Sequence, residues 1–159
     1  MRILNDKGVF NIKLIAMGDG PLRTKYEEYA RQTNSDVTFT GRLEYGKMVG
    51  ILATCDIAVN PIRAGSAGSI INKVGDYAAA GLPVLNTQES LEYRKLVNEY
   101  NIGFNCNNND PNNLADKLLL LYKDEELRKK MGHNNRKLAE TKFDRQQTYS
   151  TIIELIKGS

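Results

Sequence analysis

One histidine, no tryptophan and two cysteines occur among the 159 residues. With His133 the sole imidazole, any Ser-His-Asp or Cys-His nucleophile would have to be built on it. Cys55 and Cys106 have neither the number nor the spacing of a disulfide framework or a zinc site, so a reducing, cytoplasmic setting is expected. No apolar run approaches the ~18 residues of a membrane span, and no charged–apolar–small leader opens the chain. Charge of one sign is scarce as well. The 22 Lys+Arg and 19 Asp+Glu leave a net +3, scattered rather than striped, so nucleic acid is not an expected partner. What is present is ordinary: 41% hydrophobic and 26% charged residues exclude collagen, coiled coil and wholesale disorder. The length suits one domain, residues 1–159, able to bury ~70% of the surface of its unfolded chain without a covalent staple.

Short apolar runs alternate with longer amphipathic ones. Strands are expected at Asn11–Met17, Val37–Thr40, Ile57–Asn60, Val84–Asn86 and Ile102–Cys106. Helices are expected at Leu22–Thr33, Tyr45–Cys55, from the Ala64–Gly68 loop to Ala80, and at Glu89–Tyr100, Pro111–Tyr122, Asp124–Thr141 and Asp144–Lys157. Pro21 opens the first of these and Gly81 fits a C′ position. Helices of this length between strands imply parallel crossovers, hence a Rossmann-like doubly wound α/β sheet with C-terminal helices. Met1–Phe10 reads as the end of a helix capped by Gly8, or as a hairpin pairing residues 2–4 with 9–14. On the helix reading the chain starts partway through a βα unit.

The loop Ala64-Gly65-Ser66-Ala67-Gly68-Ser69 follows a strand and precedes a helix. Small residues let a ligand approach the backbone, and helix-start amides with the dipole favour an anion such as phosphate. A flexible turn capped by Ser66 or Ser69 is the plainer alternative. On the following helix Ser69, Asn72, Lys73 and Asp76 share one face, while Ile70, Ile71, Val74 and Ala78 turn towards a core. That stripe offers a cation, an amide and a carboxylate able to accept from a sugar diol, although a solvated helix face looks the same. Gly18-Asp19-Gly20-Pro21 is a second glycine-bearing turn, but it lacks the third glycine and the acidic partner of a dinucleotide fingerprint. No P-loop, DxD pair or HExxH occurs. His133 reads as a surface residue. Tyr149, Ile152, Ile153 and Ile156 form an apolar stripe suited to the core or to docking.

Taken together, IAMGDGP (15–21), VTFTGRL (37–43), CDIAVNPIRAGSAGSIINKVGDYAAAGLPVL (55–85) and NIGFNCNNND (101–110) resemble the C-terminal domain of family 4 retaining glycosyltransferases of GT-B fold. The most specific string, NKxxDYxAAGxPV over Asn72–Val84, is similar to a variant found in bacterial polysaccharide enzymes. The resemblance implies a donor-binding domain for a nucleotide-diphosphate sugar, a UDP-sugar before a GDP-sugar, used in polysaccharide synthesis, with no cofactor and no metal. It places Asp76 on the ribose hydroxyls and Gly68, Ser69 and Ile70 at the diphosphate and sugar. Gly41, Arg42 and Leu43 would border the base, Gly18 and Gly20 would line the same crevice, and Asn72, Lys73 and Ser66 are further contacts.

Two departures stand out. Gly68 replaces the family's first Glu, so its hydroxyl contact is lost or passes to Ser66, Ser69 or Asn72. The family's opening strand, with Gly-Arg and a diphosphate-clamping Lys, and its N-terminal acceptor domain are expected to lie outside these residues. Alone, the chain is then expected to bind nucleotide weakly and transfer nothing, and the full enzyme could associate peripherally with the cytoplasmic membrane face. The family mechanism is front-face attack with the donor phosphate assisting deprotonation of the acceptor, so no catalytic residue is assigned. The alternatives are a noncatalytic nucleotide- or anion-binding module, or a sugar-nucleotide 2-epimerase, whose acidic and histidine residues are wanting.

Overall fold

A computed structural model describes residues 1–66, 68, 70–144 and 156. The chain divides into two compact units, Met1–Ala53 and the residues from Thr54 onward, each with a parallel sheet of its own.

In the first unit α1 (Arg2–Asp6) is followed by β1 (Leu14–Met17), α2 (Arg23–Gln32), β2 (Val37–Gly41) and α3 (Tyr45–Leu52). β1 and β2 pair in parallel from Leu14↔Val37, with a register shift between Ala16 and Met17. The helix reading of the start holds and the hairpin does not form. Gly8, at φ +77, reverses the chain, its amide donating to Asn5 O (2.9 Å) and that of Val9 to Leu4 O (2.9 Å). Leu4 is thereby sealed, 1% exposed.

The second unit runs β3 (Ala58–Asn60), α4 (Lys73–Ala79), β4 (Val84–Asn86), α5 (Leu91–Glu99), β5 (Gly103–Asn105), α6 (Pro111–Lys123) and α7 (Glu125–Leu138), with a π-helical turn at Ala139–Phe143. Its sheet has the order β3-β4-β5 and rows Ala58↔Val84↔Gly103, Val59↔Leu85↔Phe104 and Asn60↔Asn86↔Asn105. Leu85, Cys106, Leu121 and Met131 form its core, flanked by Val59, Phe104, Leu114, Leu118 and Leu127, so one sheet face meets α6 and α7. Ser90, Asp110 and Asp124 cap α5, α6 and α7 by accepting from Tyr93 N, Asn113 N and Leu127 N.

One exit is used repeatedly. After α2, α4 and α5 the residues Asn34, Gly81 and Asn101 take φ 48, 67 and 49, and the next amide donates five residues back around the turn. These bonds are Ser35 N to Ala30 O (2.9 Å), Leu82 N to Tyr77 O (3.1 Å) and Ile102 N to Val97 O (3.2 Å). Each helix is thus stopped and its chain aimed into the next strand. α7 fastens the exit of α4, where Asn135 Nδ2 donates to Leu82 O (2.7 Å) and an Arg136 guanidinium N–H donates to Ala79 O (2.6 Å).

The five strands fall where the apolar runs predict. α4 does not, beginning at Lys73 rather than directly after the Gly/Ser loop. Two consecutive β-branched residues, Ile70 and Ile71, disfavour the helical turn that would have started it earlier. Tyr149, Ile152 and Ile153 lie outside the described residues, and Ile156 is exposed.

Candidate functional site

Open parallel sheets bind ligands beyond the carboxyl ends of their strands, so the strand exits of each unit are described in turn. In the first unit, β1 and β2 end on glycines that meet: Gly18 N donates to Gly41 O at 2.9 Å. Gly18 has φ +136 and Gly41 φ +70, conformations that side chains rarely adopt. Gly20 N donates to Asp19 Oδ1 (2.9 Å), Arg42 is exposed and Leu43 half-buried. The structure therefore brings Gly18 to Gly41.

Arg23 is a residue the motif reading misses. Its Nε donates to Glu27 Oε1 (2.7 Å), another N–H donates to Phe39 O (3.3 Å), and Asp19 lies 3.9 Å from it. The hydrogen bond to Glu27 is the main cause that raises its pKa above the ordinary guanidinium value, with the charges of Glu27 and Asp19 adding to it. The spacing Asp19–Arg23–Glu27, four residues each way, is the signal for this arrangement.

In the second unit, the loop after β3 is held partly by itself. Ser66 N donates to Arg63 O (3.1 Å), and Gly65, at φ +71, donates to Glu89 Oε2 (3.3 Å). The amides of Gly68 and Ile70 make no hydrogen bond to another described residue. Ser69 lies outside the described residues.

The late start of α4 corrects the polar stripe. Ile70 and Ile71 precede the helix and Asn72 is its N-cap, so within α4 the shared face contracts to Lys73 and Asp76, three residues apart in its first turn. Asn72 holds the N-cap position without a side-chain cap bond. Nor are the first amides open to an anion, because Val74 N and Gly75 N donate to Ile71 O (3.1 Å) and Asn72 O (3.0 Å). Of the four apolar residues expected in the core, Val74 and Ala78 are buried while Ile70 and Ile71 are half-buried. Desolvation lowers the Lys73 ammonium from its ordinary pKa, although the residue stays exposed. Asp76 is half-buried, and its carboxylate adds to the burial that pushes Tyr77 up to about 12.

The row Asn60–Asn86–Asn105 across the strand ends is also missed by the motifs. Asn60 Nδ2 donates to Asn86 Oδ1 and Asn86 Nδ2 to Asn105 Oδ1, both at 2.9 Å. Asn60, Asn86 and the adjoining Gln88 are 0% exposed. The signal in the sequence is three short apolar strands, each ending on asparagine. Burial raises the thiols of Cys55 and Cys106, which disfavours the nucleophilic thiolate, and His133 is exposed on α7. No helix of the described residues is long and apolar enough to cross a membrane, and no group of three or more metal-ligating side chains stands together among them.

A family model for glycosyl transferases group 1 matches residues 1–138. The chain is similar to the glycosyltransferase MJ1178 of Methanocaldococcus jannaschii, 31% identical over 131 residues, 82% of this chain and 36% of that protein. Among solved structures it resembles WaaG, a glycosyltransferase involved in lipopolysaccharide biosynthesis (TM-score 0.72, 23% identity, 94% of this chain and 39% of that one). It also resembles HepE of Anabaena, solved in complex with UDP (TM-score 0.76, 18% identity, 93% of this chain and 41% of that one) and with UDP-glucose. These likenesses establish the α/β fold as that of GT-B glycosyltransferase structures. The chain spans little more than a third of the curated relative's length.

Proposed function

Because the chain belongs to the group 1 glycosyl transferases, we propose that it forms part of the donor site of a family 4 retaining enzyme that transfers a sugar from a nucleotide diphosphate. The first turn of α4 carries this reading, for it sets the Lys73 cation and the Asp76 carboxylate three residues apart on one face of the helix. In this proposal Asp76 accepts from the ribose hydroxyls and Lys73 neutralises the diphosphate. The amides of Gly68 and Ile70, with Ser66, Ser69 and Asn72, are the proposed contacts for the phosphates and sugar, and Gly18, Gly20 and Gly41–Leu43 are those proposed for the base. UDP-sugar is the proposed donor, in keeping with the UDP and UDP-glucose held by HepE, and a glycan in polysaccharide synthesis is the proposed acceptor, in keeping with WaaG.

The proposed chemistry needs no base from these residues. As the sugar–phosphate bond breaks, the departing diphosphate takes up negative charge and accepts the acceptor's hydroxyl proton, while the acceptor oxygen bonds to the anomeric carbon on the same face. The protein's part is to hold the donor and stabilise that charge with N–H groups and a cation. Acceptor binding is proposed to come from outside these residues, in keeping with the 39% of WaaG that the chain covers, and the enzyme is proposed to work in the cytoplasm.

Ligand-observed NMR of the chain with UDP, GDP, ADP and NAD tests this reading. Weak binding led by UDP is expected. Tight NAD binding, or no response to any nucleotide, overturns it.

A further inference from the structure

The exits of β3, β4 and β5 converge on one side chain, Asn108. Its Nδ2 donates to Ile62 O at 2.8 Å and to Thr87 O at 2.9 Å, using both amide hydrogens on two different strand exits. Ile62 O accepts a second donor, Thr87 Oγ1, at 2.9 Å, and Ile62 N turns back onto Asn60 O at 3.1 Å. Asn108 itself stands on a fixed turn. Asn107 N donates to Asn113 Oδ1 (2.9 Å), Asn109 takes φ 56, and Asp110 caps α6. The course of the chain leaving β3 is thus dictated from the β5 exit, 46 residues away. Four residues after Ile62 comes Ser66, where the proposed donor loop begins, and Glu89, two residues past Thr87, accepts from Gly65.

We propose that Asn108 is a positioning residue of the nucleotide site: its amide clasps the β3 and β4 exits so that the segment from Pro61 to Ser66 presents the loop in one geometry. This inference rests on the reading of that loop as a donor contact. Asn108 is half-buried at the surface, away from the core, so its removal loosens the clasp without opening a cavity. A side chain with a single donor cannot replace it, and a carboxylate would face two carbonyl oxygens.

The test uses the whole chain with Asn108→Ala and Asn108→Asp, read by amide hydrogen exchange, UDP affinity and urea unfolding. Asn108→Ala is expected to speed exchange at Ile62 and Ser66, to weaken UDP about tenfold, and to leave the unfolding midpoint near wild type. Asn108→Asp should lose more, and recover part of the loss at acid pH, where a protonated carboxyl regains one donor. Unchanged exchange at Ile62 and Ser66 overturns the clasp whatever UDP does. Faster exchange with unchanged UDP affinity overturns the positioning role. A wild type that binds no nucleotide overturns the donor reading and the role given to Asn108, while exchange still decides whether the clasp exists.

Discussion

Asn60 and Asn86 stand opposite each other on β3 and β4, and the Nδ2 of the first donates to the Oδ1 of the second at 2.9 Å. The chain of amides runs on in one direction, through Asn105, to end at Arg94 O and Asn98 Oδ1, both 2.9 Å away. Its head, Asn60 Oδ1, is buried without a hydrogen-bond partner among the described residues. The two ends therefore differ in what a substitution leaves behind. Asn86→Val strips partners from Asn60, Asn105 and the amide of Gln88 at once, and should cost about 2–4 kcal/mol. Asn60→Val removes the unpaired acceptor with the donor, and Asn86 Oδ1 keeps the amide of Gln88, so it should cost less. Urea unfolding of the two variants checks the order, and equal losses would contradict a directional row.

Glycines of the second unit should divide sharply. A Cβ on Gly103, at φ +155, would strike the backbone of Val84 on the neighbouring strand, so β4 and β5 would have to part. Gly103→Ala should cost about 3 kcal/mol or more. Gly81, at φ +67, has only ordinary contacts at 3.6 Å around its missing Cβ. Its equivalents after α2 and α5 are Asn34 and Asn101, so Gly81→Asn should cost about 1 kcal/mol or less. Thermal unfolding of the pair separates backbone strain from strand collision.

Those glycines show what a sequence can reveal. Gly81 is legible as a helix stop because glycine before proline-led apolar residues has few other uses, whereas Asn34 and Asn101 do the same work and read as ordinary polar residues. Gly103 is illegible because its constraint comes from Val84, on another strand. At the candidate site, the glycine turns and the pair Lys73 and Asp76 can be read locally. The late start of α4 cannot, since serine, glycine and isoleucine there fit either a helix or an approach to one. The asparagine row needs the register of three strands, which no single segment carries.

Tyr77 and Tyr93 should make the second unit sensitive to alkali. Tyr77 donates to Val59 O at 3.3 Å, and burial first, then the Asp76 charge, pushes it to about 12. Burial raises Tyr93 further, helped by Tyr77, and its hydroxyl has no described partner. In the unfolded chain both release their protons near pH ~10, while the folded chain still holds them. The unfolded state then binds fewer protons, so stability falls as pH rises from ~10 towards 12, by about 2 kcal/mol for Tyr77. Below that window the two phenols add no slope. Urea titrations across it, with tyrosinate absorbance as the second readout, should show the slope diminished in Tyr77→Phe. An equal slope in that variant would assign the alkaline loss elsewhere.

Asp76 bears the sharpest consequence of the shortened α4. It lies in the first turn, three residues after Lys73, on the same face as the cation proposed for the diphosphate. A ribose lies between base and diphosphate, so its vicinal hydroxyls can each donate to one carboxylate oxygen. Asp76→Ala should therefore weaken UDP binding by about 1.5–3 kcal/mol. Asp76→Asn should recover part of this, because the amide oxygen still accepts from one hydroxyl. Lys73→Ala acts through the phosphates instead, and its cost should shrink at high salt. A purely structural Asp76 predicts something else: a stability change of about 1 kcal/mol or less from the dipole, a lowered Tyr77 titration, and unchanged nucleotide affinity. Titrating UDP and 2′-deoxy-UDP against wild type and Asp76→Ala separates these. Wild type should prefer UDP and the variant should not. If the preference is the same in both, the ribose hydroxyls are held by another group and Asp76 serves only the helix.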